Sequence, residues 1–158
     1  MAVTMPLADL LSADRVALDY NLASKKSVLE KAAELLSRDE GAAGSRDVFE
    51  ALCQRERLGS TGLGHGVAIP HCRVEQDDVS GAFLRVKRSV EFDSPDNASV
   101  DLFFALAVPA RCSDTHLKLL AAIAELFSSA ERRERLREVA DYRSLLALLG
   151  EFADTESR

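Results

Sequence analysis

Three histidines, His65, His71 and His116, and a glycine run that contains the first and precedes the second hold most of the reactive chemistry in this 158-residue chain. A neutral imidazole at physiological pH serves as nucleophile, general base or metal ligand. Gly59-Ser60-Thr61-Gly62-Leu63-Gly64-His65-Gly66 has four glycines in eight residues, which permits positive φ and close approach of backbone N–H groups to an anion. Phosphate is therefore the first ligand class to test. Gly59 and Gly64 have P-loop spacing, but His65 and Gly66 stand where Lys and Ser/Thr are needed. The dinucleotide fingerprint fails too, because Gly62 and Gly64 are followed by Val67 at the third glycine position. No motif supports ATP or a dinucleotide.

His71 follows Pro70, whose fixed φ stiffens the chain where the apolar run Val67-Ala68-Ile69 meets a polar segment. That placement holds a side chain exposed at a strand edge. His116 falls in the first turn of an expected helix, where the positive helix end favours an anion. A lone histidine in either place is more often structural, so spacing alone leaves both readings open. The cysteines Cys53, Cys72 and Cys112 are odd in number and lack C-x-x-C spacing, which argues against a disulfide framework and for a reducing, cytoplasmic compartment. Cys112 and His116 have the i, i+4 spacing that can share a metal on a helix. With Cys72 and His71 they define a rival reading, a small metal-dependent or cysteine hydrolase. Against it, Cys112 precedes the expected cap Ser113 and no acidic general base stands out.

The elements that must position these groups follow from periodicity. Val28, Leu29, Ala32, Ala33, Leu35 and Leu36 recur at helical spacing after Ser24, which predicts a helix over 25–38 stopped by Gly41 and Gly44. Ser45 reads as the N-cap of a second helix, with Val48, Phe49, Leu52 and Cys53 on one face and its end at Gly59. The alternation of Ala82, Leu84 and Val86 with Phe83, Arg85 and Lys87, and the apolar run Asp101 to Val108, read as strands. Val16 to Tyr20 and Gly66 to Ile69 are weaker strand candidates. Ser113 or Asp114 is expected to cap a helix that buries Leu117, Leu120, Ala124 and Phe127, followed by shorter helices over 136–139 and 142–149. Intermingled helices and strands predict an α/β sandwich in one domain over residues 1–153, with a frayed tail over 154–158.

Bulk composition removes other classes. A net charge of -6 lacks the basic footprint of a nucleic-acid binder. The arginines at 132, 133, 135 and 137 interleave with Glu131, Glu134 and Glu138, as on a solvated helix face. No secretory signal pattern opens the chain, and nothing approaches the roughly 18 apolar residues of a membrane span.

The run Arg55-Glu56-Arg57-Leu58 through the glycine loop to Pro70-His71 resembles the active-site signature of type-2 enzyme IIA domains (fructose/mannitol family) of the bacterial phosphoenolpyruvate-dependent phosphotransferase system. The resemblance is strongest to the stand-alone nitrogen-regulatory branch. It continues through Asp101 to Ala110 and Thr115-His116-Leu117, and so spans nearly the whole chain. It implies a mixed β-sheet flanked by helices. It implies that His71 accepts a phosphoryl group, that Arg55 and His116 lie beside it, and that no metal or cofactor is required. Ser60, Thr61, Gly62 and Gly64 are then candidates for a phosphate-cradling loop. The implied partners are an HPr-like nitrogen phosphocarrier as donor and regulatory targets such as transporters or sensor kinases. The chain would be a phosphohistidine carrier rather than a stand-alone turnover enzyme. Its end at Arg158 with no transport domain attached fits the regulatory branch, whereas a sugar-specific enzyme IIA serving a permease IIB is the close alternative. Two positions depart from the pattern: Cys72 and Arg73 stand where the family often has Gly and Lys. His65 occupies a variable loop position and is expected to be peripheral.

Overall fold

The apolar run expected as a buried strand is β6 (Val100–Pro109), the centre of the sheet. Its even members Leu102, Phe104 and Leu106 enter one apolar core and its odd members Phe103, Ala105 and Ala107 another. A strand covered on both faces loses the usual apolar/polar alternation, which explains the uninterrupted run. The computed structural model describes residues 7–38, 41–111 and 114–156.

Six strands form one mixed sheet among these residues, in the order β1 (Val16–Tyr20), β5 (Ser80–Val90), β6, β3 (Val67–Ala68), β2 (Gly62–Gly64), with β4 (His71–Val74) also paired to β6. β1 runs parallel to β5, β5 antiparallel to β6, and β3 and β4 both parallel to β6. The two short strands are one interrupted strand, because their register continues: Val67 faces Leu102, Ala68 faces Phe103 and His71 faces Leu106. The interruption falls at Pro70, which has no N–H for a ladder bond, although its carbonyl accepts from Leu106 N–H at 2.9 Å.

One face of the sheet packs on α1 (Lys25–Leu36) and α2 (Ser45–Arg57), the other on α3 (Asp114–Leu126), α4 (Ala130–Glu138) and α5 (Tyr142–Glu156). This is the expected α/β sandwich. α1 starts with a reciprocal cap in which the Ser24 side chain accepts from Ser27 N–H and the Ser27 side chain from Ser24 N–H. Ser45 is not the N-cap of α2; Gly44 holds that position without a side-chain bond, and Ser45 is the first helical residue. The glycine run is not all loop, since Gly62–Gly64 pairs antiparallel with β3 and His65-Gly66 make the turn at φ of 57° and 80°. A side chain at Gly66 would meet Arg137, which is bidentate to Asp101 and donates to the His65 carbonyl at 2.8 Å. Arg137 thus leaves the solvated set expected for α4 and ties that helix to the hairpin.

The buried stripe of α3 also differs from expectation. His116, Leu119, Ile123, Leu126 and Phe127 face the core, Leu120 and Ala124 are half-buried, and Leu117 is 64% exposed. α3 is apolar on two sides, so periodicity could not choose between adjacent stripes. The tail expected from Asp154 is helical as far as Glu156, and residues 157–158 lie outside the described residues, as do Cys112 and the expected cap Ser113. Among the described residues no helix is long and apolar enough to cross a membrane.

Candidate active site

Strand alternation decides what His71 faces. Cys72 and Val74 point into the core beneath α2, so His71 projects from the opposite side of β4, toward α3. There His116, in the first turn of α3, meets it edge-on, with ring centroids 5.4 Å apart and planes at 73°. The His116 ring is 8% exposed, and its Nδ1 has no hydrogen-bond partner among the described residues. Arg55, in the last turn of α2, lines the same pocket as His71 and donates through Nη1 to the Gly59 carbonyl at 2.8 Å. The pocket has a volume of about 320 Å³, and Ile69, Leu63, Leu120, Ala121 and Ala124 supply its apolar wall. The three residues that the resemblance brought together from α2, β4 and α3 are therefore neighbours in space.

His71 is half-buried and its Nδ1 lies 2.7 Å from the Ile69 carbonyl oxygen. A carbonyl only accepts, so the ring carries its proton on Nδ1 and leaves the Nε2 lone pair free. Burial holds the His71 imidazole below its ordinary value of 6.5; the Ile69 bond and Glu56 oppose that shift, and Arg55 adds to it. His116 is also lowered, first by burial and then by His71, Arg73 and Arg55. Both rings are consequently neutral near pH 7, the state in which imidazole is nucleophilic.

A stability dependence follows from the sign of these shifts. As pH falls through 6.5, the ordinary histidine value, an unfolded chain protonates these rings while the folded chain resists. The unfolded state then binds more protons, so stability present above that pH is lost below it. His71→Gln is expected to lose less stability across this window than the parent, measured by denaturant midpoints on either side of it. Equal losses in the two proteins would contradict the shift at His71.

The glycine loop forms the pocket wall, yet its donors are mostly engaged. The Ser60 hydroxyl donates to the Phe92 carbonyl at 2.6 Å and accepts from Gly62 N–H at 3.0 Å. Thr61 donates both its N–H and its hydroxyl to Glu56. Gly64 is not part of the lining. Ser60, Thr61 and Gly62 of the expected cradle therefore line the pocket as a wall braced from behind, and the charged donor beside them is Arg55. His65 sits at the hairpin tip, where its N–H donates to Asp96 at 2.9 Å and its carbonyl accepts from Arg137. Glu56 and Lys25 support this wall, and no spacing in the sequence joins them to it.

Cys72 is next to His71 in sequence but on the other face of the sheet. Its side chain is 4% exposed, and burial pushes its thiol up to about 12, the opposite of a reactive thiolate. Native protein is expected to resist alkylation at Cys72 in mildly alkaline buffer, and Cys72→Ala to leave phosphoryl acceptance intact while costing about 1 kcal/mol of stability. Peptide mass mapping after alkylation checks the first expectation, and rapid labelling of Cys72 in the folded chain would contradict it. Among the described residues no three His, Cys, Asp or Glu side chains converge to hold a metal. Cys112, on which the metal reading rests, is outside them.

The family described as the phosphoenolpyruvate-dependent sugar phosphotransferase system, EIIA 2, matches residues 9–151. A nitrogen regulatory protein of Pseudomonas aeruginosa is 40% identical over 145 residues, covering 90% of this chain and 94% of its own. The crystal structure of the nitrogen regulatory protein IIA-Ntr from Neisseria meningitidis superposes with a TM-score of 0.86 at 42% identity, covering 90% of this chain and 98% of that one. The fold also matches the Escherichia coli enzyme IIA for mannitol, in its complex with phosphorylated enzyme IIB, at a TM-score of 0.73 and 21% identity, covering 89% and 97% of the two chains.

Proposed function

Because the chain belongs to the EIIA 2 family of the phosphoenolpyruvate-dependent sugar phosphotransferase system, we propose that His71 takes a phosphoryl group from a phosphohistidine on an HPr-like donor and that its phosphorylation state governs partner proteins. The observation that carries this reading is the bond from His71 Nδ1 to the Ile69 carbonyl, which leaves Nε2 as the free nucleophile at the pocket. In the transfer the Nε2 lone pair forms a bond to phosphorus while the donor's N–P bond breaks and its electron pair returns to the donor imidazole. The Nδ1 proton stays on His71, where the Ile69 carbonyl stabilises the positive charge that develops on the ring. Charge on the equatorial phosphoryl oxygens is met by the Arg55 guanidinium and the His116 imidazole. The incoming group is already activated, so the step uses no metal.

A protein donor also suits the surroundings. Leu63 lines the pocket and is exposed, Leu117 next to His116 in sequence is exposed, and Leu120 and Ala121 are on the pocket wall. Apolar side chains exposed around a reactive ring fit a protein face better than a small polar substrate. The name nitrogen regulatory protein, carried by relatives at 40% and 42% identity, supports the nitrogen-regulatory branch; in this reading transporters or sensor kinases are the class of target, as the family resemblance implies, and the cytoplasm is the location. Residues 1–153 act as one domain in this reading.

Incubation with phosphoenolpyruvate, enzyme I and an HPr-like carrier tests it. Uptake of acid-labile phosphate close to one per chain is expected, and no uptake from any phosphohistidine donor would overturn the carrier reading. Efficient onward delivery to a sugar-permease IIB domain would move the chain to the sugar-specific branch.

A further inference from the structure

Behind the pocket a continuous chain of polar contacts starts on α1 and ends on the His71 ring. Lys25 Nζ lies 3.0 Å from Glu56 Oε1 and 4.6 Å from the centroid of the Phe92 ring. The Glu56 side chain is 5% exposed. Its Oε1 accepts from Thr61 N–H at 3.2 Å and its Oε2 accepts the Thr61 hydroxyl. The Thr61 carbonyl accepts from Ile69 N–H at 3.0 Å, and the Ile69 carbonyl accepts from His71 Nδ1 at 2.7 Å.

A carboxylate this buried is costly unless both oxygens are paired, and here the partners are Lys25 and Thr61, a residue of the pocket wall itself. What the arrangement accomplishes is legible at its far end. Pro70 restricts Ile69 to extended backbone, so the direction of the Ile69 N–H sets the direction of its carbonyl. That carbonyl decides which nitrogen of His71 is protonated, because a neutral imidazole donates from one nitrogen only. If the Ile69 peptide were released, the proton would exchange between Nδ1 and Nε2, and the ring would lose part of its nucleophilic population.

We propose that Glu56, braced by Lys25, is a positioning residue for phosphoryl transfer: through Thr61 and Ile69 it selects the His71 tautomer with Nε2 free and holds the ring toward the pocket. The kinetic half of this proposal rests on His71 as the phosphoryl acceptor; the tautomer half does not. A purely structural Glu56, joining α1 to α2, would change stability but leave the proton of His71 where it is.

Nitrogen NMR of isotope-labelled histidine in the unphosphorylated chain separates the two. Wild-type His71 is expected to be protonated on Nδ1 with Nε2 bare. In Glu56→Gln, and in Thr61→Val, which keeps side-chain shape and the Thr61 N–H bond, the Nε2-protonated form is expected to rise to a comparable population. Transfer at saturating donor is expected to fall roughly tenfold, by analogy with the lower end of the loss when the partner orienting a metal-ligating histidine is removed, with the half-saturating donor concentration little changed. A wild-type ring protonated on Nε2 overturns the proposal even if neither variant folds. Folded variants with the wild-type tautomer or wild-type transfer overturn it as well. If the tautomer shifts as expected but the wild type takes up no phosphate, the positioning role stands and the carrier reading falls.

Discussion

A His71→Ala chain is expected to take up no acid-labile phosphate from a phosphorylated HPr-like donor, a loss limited only by the detection floor. The neighbouring His116 does not replace it. Although its ring centroid is only 5.4 Å away, His116 is 8% exposed and its Nδ1 has no carbonyl to fix the proton. A donor phosphohistidine must come in line with a bare ring nitrogen, and only Nε2 of His71 combines access with a set tautomer. Intact-mass measurement after incubation with donor checks this directly. Uptake by the alanine variant at a rate near that of the parent would place the acceptor elsewhere. The fold should survive the change, because His71 is half-buried at a strand start and its backbone pairing to β6 is independent of the ring.

Arg55→Ala is the second large effect, with transfer slowed by about two to three orders of magnitude, the cost of removing one preorganised donor at a developing oxyanion. Of the cationic side chains, Arg55 alone lines the pocket among the described residues, and its bond to the Gly59 carbonyl fixes one edge of the guanidinium. The remaining N–H groups are then directed without further ordering when the phosphoryl group arrives. Arg55→Lys keeps the charge but loses the planar fork, and is expected to recover only part of the rate. Single-turnover transfer with each variant, alongside thermal unfolding, separates loss of chemistry from loss of structure. Parental rates in Arg55→Ala would remove this residue from the reacting centre.

Much of the architecture was legible because strong local signals agreed with their surroundings. The uninterrupted apolar run of β6 announced a strand buried on both faces, and the apolar stripe of α1 matched its buried residues one for one. Other elements hid for identifiable reasons. β2 is three residues of glycine-rich chain that pair only because β3 lies beside them, and β4 is four residues containing the exposed Arg73, too short for a period to show. The stripe of α3 was displaced by one position because α3 carries a second apolar side, where Leu120 and Ala121 line the pocket and Leu117 is exposed. At the site, the loop between Gly59 and Gly66 and the ring of His71 stood out by residue type, whereas Arg55 and His116 needed the family resemblance, since nothing in their own spacing joins them to it. The bracing of the loop by Glu56 and Lys25 was not legible at all. It depends on two side chains 31 positions apart meeting across α1 and α2. Cys72 shows the converse: adjacency in sequence suggested shared chemistry, and strand alternation places it on the opposite face of the sheet from His71.

The proposed acceptor is a single atom, Nε2 of His71, and phosphorus–nitrogen NMR correlation on phosphorylated protein with isotope-labelled histidine reads it out. One phosphorus resonance coupled to Nε2 of His71, with the proton retained on Nδ1, is the expected result. A phosphoryl group found on His116, on Nδ1 of His71, or on no histidine at all would contradict the account.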